Sequence, residues 1–375
     1  MTCLFDYTPT APDWRLAWEE MDREYSWIRD MAGCAQDAEY HAEGDVWVHT
    51  RMVVEELLAL DAWRELPCED RRVLFAAAVL HDVAKPECSR LEDGRIRTRG
   101  HSRRGAILAR GILWEQAAPF SLRERVAGLI GVHQLPYYLI DRPDLHRQAI
   151  EASYRARADH LAILAEADVR GRVCADRQRL LDNVALFREQ MREFGLSTSS
   201  HPFASDHARV LFFLEEGRGP ETPAFFRPKS EVVLMSGLPG AGKDHYGKTH
   251  LGDHETISLD ELRAEMDVGP GDEQGEVIQR AKGRARELLR AGRPFVWNAT
   301  NIGRLQRGPL LELFVAYQAR VRIVYVEPPH RLLFAQNRQR ASPVPERVIR
   351  RFMSRWEVPD LREAHAVDFV VREGR

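Results

Sequence analysis

The sequence predicts a multidomain chain, with an all-α domain followed by an α/β domain built on a parallel sheet. Three observations carry this reading. Apolar residues recur at helical spacing from Val46 to Phe194, with no convincing alternating strand before Gly195. Beyond Ser230, short apolar runs alternate with helical stretches, a pattern that implies parallel pairing. Between the halves the chain becomes rich in Ser, Gly and Pro, as linkers do. The boundaries read as 1–194, a linker over 195–229, and 230–375.

Helical periodicity covers Val46–Leu60, Arg71–Leu80, Ser102–Trp114, Ser121–Val132, Gln148–Asp168 and Arg177–Phe194. Inside the linker, Ser205–Glu216 reads as one short helix capped by Ser205 or Asp206. Glu231–Ser236, Thr256–Ser258, Phe295–Trp297 and Val321–Glu327 read as strands. Helices are expected from Asp260 to Ala264 and over Glu276–Ala291, where Gly292 stops the second.

A length of 375 residues favours two or three domains, and 44% hydrophobic content supplies their cores. The formal charge of -3 excludes a globally basic protein, so nucleic acid would have to meet local positive patches. Five scattered cysteines (Cys3, Cys34, Cys68, Cys88, Cys174) form no CxxC pair. They read as reduced and intracellular, neither a disulfide framework nor a zinc finger. The N-terminus lacks a basic, then apolar, leader, and no stretch approaches the roughly 20 apolar residues of a membrane span. The expected location is the cytoplasm, with no membrane partner.

Gly237-Leu-Pro-Gly240-Ala241-Gly242-Lys243 has P-loop spacing directly after an apolar strand. Its glycines let backbone N–H groups turn toward phosphate oxygens, the following helix adds its positive end, and Lys243 reaches the outer phosphates. The expected ligand is a nucleoside triphosphate, ATP or GTP, with Mg2+ or a similar ion. Asp244 stands where Ser or Thr usually helps hold magnesium, and a carboxylate is still a hard oxygen ligand, directly or through water.

An acceptor hydroxyl needs a group to take its proton, and Asp260, just past a short strand, is the best candidate. Arg263 lies on the same helical face and suits the acceptor's phosphate, or the two are an ordinary helix cap and an exposed arginine. Asn298-Ala-Thr-Asn301 ends the third strand, where amides either orient ligands or serve turn chemistry. Arg338 and Arg340 precede a Pro-rich break, as in a lid closing on a triphosphate, or form a solvated helix face. From Ser230 onward, GLPGAGKD, SLDELR, NATN and NRQR…PVP resemble the 5′-OH polynucleotide kinase family of P-loop phosphotransferases. That resemblance implies phosphate contact by Lys243, a general base in Asp260, acceptor binding by Arg263 and lid roles for Arg338 and Arg340. Asp244 for Ser/Thr and Asn298 for the more usual Asp depart from the pattern, and both touch metal coordination.

In the first half, His49, His81, Asp82, His101, His133 and Asp168 form an H…HD…H…H…D order. Imidazole and carboxylate sets of this kind suit divalent manganese, cobalt, nickel or iron. With Val-Ala-Lys85-Pro after the His81-Asp82 pair, residues 45–172 resemble the HD phosphohydrolase superfamily. The resemblance implies His49, His81, Asp82 and Asp168 on one ion, and His101 and His133 with Asp82 on a second. Arg95, Arg97, Arg99, Arg103, Arg104 and Arg110 crowd around His101 and suit an anionic substrate, or form a solvated basic loop. Lys85 is placed to contact a scissile phosphate.

An HD domain before a polynucleotide kinase resembles the bifunctional bacterial end-healing enzymes called HD-Pnk. The resemblance implies removal of 2′,3′-cyclic, 2′ or 3′ phosphate by the first domain and 5′-OH phosphorylation by the second. Expected partners are RNA or DNA ends, a nucleoside triphosphate, a ligase acting downstream and a second copy of the chain. Two other readings stay open. One is a nucleotide-metabolising phosphohydrolase fused to a small-molecule kinase. The other is a nucleotide-gated binding module with degenerate kinase chemistry.

Overall fold

The computed structural model describes residues 2–269, 271–340 and 342–373. The chain divides into two compact units, Met1–His201 and Pro202–Arg375.

The first unit is helical around one central rod, the helix Cys68–Leu80, in which every residue from Val73 to Leu80 is buried. A helix apolar on all sides has no face for water and becomes the centre of its domain. The helices Val46–Ala59, Phe120–Val132 and Ala158–Arg170 pack on this rod. The helix His101–Glu115 packs on Phe120–Val132, and Arg177–Glu193 on Ala158–Arg170. Asp45 caps Val46–Ala59 by accepting from the Val48 amide at 2.9 Å, which fixes where the first turn, and His49 with it, begins.

Two expectations are corrected here. The first half does contain strands: β1 (Arg90–Glu92) and β2 (Arg95–Arg97) pair antiparallel. Three residues are too few to show alternation. The legible signal was the turn, Asp93-Gly94, whose residues both have positive φ as a two-residue hairpin needs. The helix expected over Gln148–Asp168 is two helices, Leu145–Ser153 and Ala158–Arg170. Ser153 Oγ donates to the Ile150 carbonyl at 2.7 Å, and Arg157 turns extended before the second helix starts.

The second unit carries five parallel strands: β3 (Ser230–Ser236), β4 (Glu255–Ser258), β5 (Phe295–Asn298), β6 (Ala319–Glu327) and β7 (Ala366–Val371). Their spatial order is β4-β5-β3-β6-β7. The β7 segment was not anticipated; its AVDFVV run lies at a sheet edge beside β6. β3 is buried along nearly its whole length, as expected of a central strand with both faces covered. The chain leaves β3 toward β4 and β5 on one side and later returns to β6 on the other. The C-terminal end of β3 is therefore the topological switch point, where ligands of such sheets bind. The linker helix spans Asp206–Leu214, is capped by Ser205 and belongs to this unit. Its Arg209 donates to the carbonyls of Leu361, Ala364 and His365.

One close approach in the first unit positions the site. A Cβ on Gly171 would lie 2.7 Å from the Val53 amide nitrogen and 2.9 Å from Val53 Cα, so only glycine lets these two segments touch. Gly171→Ala is expected to destabilise the first unit by about 1–3 kcal/mol, read as a lower melting temperature. An unchanged melting temperature would mean that this contact does not constrain the packing.

Candidate active sites

His81 follows the last residue of the buried rod, Asp82 comes next, and the chain then turns into the short helix Lys85–Cys88. Because the helix stops at Leu80, the adjacent side chains of His81 and Asp82 can face one centre. His133 ends the helix Phe120–Val132 in the same way. His101 opens its helix behind a left-handed Gly100. All four side chains are buried, as are His49 and Asp168.

Each of these histidines is tied back through Nδ1. His81 donates to the Ala78 carbonyl at 2.8 Å, His101 to Thr98 at 2.6 Å and His133 to Ile130 at 2.8 Å. His49 Nδ1 lies 2.9 Å from Glu43 Oε1 and 3.3 Å from the Gly171 carbonyl. Such outer bonds select the tautomer and leave Nε2 as the donor atom for a cation.

Those donors converge on Asp82. Its Oδ2 is 3.1 Å from His81 Nε2 and 3.8 Å from His49 Nε2, and its Oδ1 is 3.5 Å from His101 Nε2. Two trios result, His49/His81/Asp82 and Asp82/His101/His133, each with its donor atoms within 4.8 Å of one another. Three of these atoms, His81 Nε2, Asp82 Oδ1 and His101 Nε2, are buried without a hydrogen-bond partner among the described residues. A buried polar atom left unsatisfied is costly, and coordination to a cation would satisfy it. Imidazole nitrogens around a shared carboxylate fit a pair of divalent transition ions.

Asp168 stands beside the first trio, its Oδ1 3.1 Å from His49 Nε2. Both of its oxygens are also gripped by Arg172, at 2.9 and 2.6 Å, and Tyr137 donates to Oδ2 at 2.6 Å. Lys85 Nζ lies 2.7 Å from Asp82 Oδ2 and 2.7 Å from Gln36 Oε1. Burial by itself would raise Asp82, but His81 and Lys85 reverse the sign and hold its carboxyl well below the usual range. Burial likewise opposes ionisation of Asp168, and Arg172 and His49 overcome it. Burial, with His101 and His81 adding to it, pushes His133 down to about 3, so it stays a neutral donor.

The arginines around His101 are engaged with carboxylates. Arg95 pairs with Asp37 and Glu39, Arg97 and Arg99 lie near Glu92, and Arg104 pairs with Glu87. Arg110 is buried and chelated by Glu124. Carboxylates spread through the sequence neutralise much of what looked like a basic run.

Five residues of this site went unread in the sequence: Gln36, His41, Glu43, Tyr137 and Arg172. Arg172 stood four residues after Asp168, a spacing that signals an ion pair. His41 and Glu43 lie in an irregular segment with no periodicity to mark them. Glu43 Oε1 bridges His41 Nδ1 at 2.8 Å and His49 Nδ1 at 2.9 Å, while its Oε2 accepts from the Val173 amide. Burial resists its charge, yet the two imidazoles hold its carboxyl well below the usual range.

In the second unit the loop after β3 is the predicted P-loop. Gly237, Gly240 and Gly242 all have positive φ, and Ala241 is buried beneath the loop. A Cβ on Gly240 would meet Asn337 Cβ at 3.3 Å, so the loop packs on the helix His330–Arg338. Lys243, first residue of the helix Lys243–His250, curls back and donates to the Gly237 and Leu238 carbonyls at 2.9 and 3.1 Å. Lys243 is half-buried, and burial pulls it down to about 8 against the opposing pull of Asp244 and Asp260.

The ends of the other strands face the same loop. Asn298, last in β5, donates to Asp244 Oδ1 at 2.7 Å. Asn301 serves the turn: it donates to the Met235 carbonyl at 2.7 Å, and its own carbonyl accepts from Ser236 Oγ. Asp260 is exposed and pairs with Arg263, which also donates to Gln274 at 2.8 Å. Arg338 is exposed, 3.7 Å from Glu346, and Arg340 is exposed with its charge acting on Lys243. Ala341, within the expected lid, lies outside the described residues. Asn337 closes the base of that segment through paired bonds to Val344, at 2.7 and 3.0 Å.

A family model described as an AAA domain matches residues 232–359. The chain is 37% identical over 133 residues to a CC-adding tRNA nucleotidyltransferase of Thermus thermophilus. That match takes in 35% of this chain and 27% of the relative, so the chain spans about a quarter of that relative's length. A solved structure of a protein described as a kinase from Chloroflexus aurantiacus aligns with 38% of this chain and 86% of its own, at 17% identity and a TM-score of 0.32. With the loop and sheet described above, the second unit is a P-loop nucleotide-binding domain, a construction that supports phosphotransfer. Among the described residues no helix is long and apolar enough to cross a membrane.

The bridge at Glu43 generates a prediction. Glu43→Gln keeps the shape but weakens the acceptor that orients His49. Affinity for Mn2+ or Co2+, read by calorimetry on the full chain, is expected to fall about 10–100-fold. Unchanged affinity would mean that Glu43 does not orient His49 toward a cation.

Proposed function

We propose that the chain heals the broken ends of RNA or DNA. In this reading residues 1–194 are an HD-type phosphoesterase that removes 2′,3′-cyclic, 2′ or 3′ phosphate. Residues 230–375 are a 5′-OH polynucleotide kinase. The observation that carries the reading is the gathering of four Nδ1-anchored imidazoles around Asp82, on the same chain as a P-loop. The tRNA named for the nucleotidyltransferase relative favours nucleic acid over a free nucleotide as the substrate.

In the first domain, His49, His81, Asp82 and Asp168 would hold one divalent ion, and Asp82, His101 and His133 a second. Such ions supply Lewis acidity and lower the pKa of water. Asp82 contributes the shared charge. Lys85, held beside it, is in reach of a phosphate oxygen drawn to the centre. The Nδ1 bonds keep the imidazoles from turning away.

In the second domain, the loop amides and Lys243 bind the triphosphate. Asp260 takes the proton of the 5′-hydroxyl as its oxygen bonds to the γ-phosphorus. The bond from that phosphorus to the β,γ-bridging oxygen breaks, and the nucleoside diphosphate leaves. Arg263, now paired with Asp260, exchanges that partner for the acceptor's phosphate. Arg338 and Arg340 approach from the segment pinned by Asn337 and offset the charge of the moving group. The products are ends suited to a ligase in the cytoplasm.

The test is an RNA strand with a 5′-OH and a 2′,3′-cyclic phosphate, incubated with ATP, Mg2+ and Mn2+ and weighed at each terminus. The 5′ end is expected to gain one phosphoryl group and the 3′ end to lose its cyclic phosphate. Lys243→Ala should abolish only the first change and His81→Ala only the second. Turnover of mononucleotides with the strand untouched would favour nucleotide metabolism instead. Tight ATP binding without transfer would favour a gated binding module.

A further inference from the structure

In P-loop enzymes the magnesium ion is usually held by a loop Ser or Thr and by an Asp at the end of a neighbouring strand. Here both positions differ. The loop position is Asp244 and the strand end is Asn298. Taken separately, each change looks like damage to a metal site. The structure brings the two residues together: Asn298 Nδ2 donates to Asp244 Oδ1 at 2.7 Å. The pair still holds one carboxylate and one neutral polar group, with their places exchanged.

We propose that the cation-directed carboxylate of this site has moved from the end of β5 onto the loop helix, so that Asp244 is the oxygen donor toward the divalent ion of a bound nucleotide and Asn298 is its positioning residue. The proposal rests on the reading of the second unit as a triphosphate site. An amide is the fitting partner for a relocated carboxylate. It donates to one oxygen, fixes the rotamer and adds no charge. Asp244 Oδ2 accepts no bond from the described residues, which leaves it for the cation or its water shell. An Asp at both positions would set two carboxylates at hydrogen-bond distance beside a triphosphate. A neutral group at both would leave no protein charge toward the ion.

The exchange has a consequence that the ordinary arrangement lacks. Asp244 directly follows Lys243, so its charge faces the phosphates themselves. Without a cation it repels the nucleotide, and with one it attracts the complex. Nucleotide and cation binding are therefore coupled through this carboxylate, and such coupling is reciprocal.

The experiment measures ATP affinity by calorimetry on the full chain, in excess Mg2+ and in EDTA. The wild-type chain, Asp244→Ser, Asn298→Asp and the double exchange D244S/N298D are compared. Wild type is expected to bind ATP more tightly with Mg2+ by about tenfold or more, within the usual span of site coupling. D244S should lose most of that enhancement, chiefly by binding ATP better in EDTA. N298D should weaken binding in EDTA. The double exchange should recover the Mg2+ enhancement, which also shows that these variants fold. An unchanged enhancement in D244S, with wild type binding normally, would overturn the exchange alone. Failure of wild type to bind ATP in either condition would overturn the triphosphate reading as well as the exchange.

Discussion

The first unit depends on a small repeated bond, the donation from a histidine Nδ1 to a backbone carbonyl three residues earlier. His81, His101 and His133 all make it. Two of them sit at helix C-termini, where the last carbonyls have no intrahelical partner. The imidazole satisfies such a carbonyl and in exchange is held in one tautomer. Three helix ends thereby aim three Nε2 atoms at a single buried carboxylate. The arrangement would be unfavourable as plain packing, since it collects unsatisfied donors and charge away from water. It makes sense as a cradle for cations.

Around this cradle the protein spends further buried charge on orientation. Glu43 steadies His49 from outside, and Arg172 with Tyr137 fixes the carboxylate of Asp168. Only glycine at position 171 lets the segment after Asp168 press against the helix that bears His49. The second unit uses the opposite strategy. Its P-loop offers backbone amides and one half-buried lysine at a sheet switch point, where strand ends converge without needing a buried charge cluster. Asn298 and Asp244 are joined there by a single hydrogen bond.

Much of this was legible in the sequence where the signal was local. The apolar run before His81, the Gly-rich loop after an apolar strand and the Ser205 cap each state their own geometry. The Asp93-Gly94 hairpin was equally local but hidden by strands of three residues. What escaped was tertiary. Glu43 and His41 lie in an irregular stretch and gain meaning only because the fold folds them against His49. The carboxylate partners of the arginines near His101, such as Asp37 for Arg95 and Glu124 for Arg110, lie elsewhere in the chain. β7 went unseen because an edge strand that is only partly buried lacks the apolar continuity of the inner strands.

The most direct measurement is nitrogen-detected NMR of the histidine side chains, with residue assignments, during titration with Zn2+. His81, His101 and His133 are expected to carry their proton on Nδ1, and their Nε2 resonances to shift together as the metal is added. Protons on Nε2 of these residues, or Nε2 signals that ignore the metal, would contradict a shared cation centre.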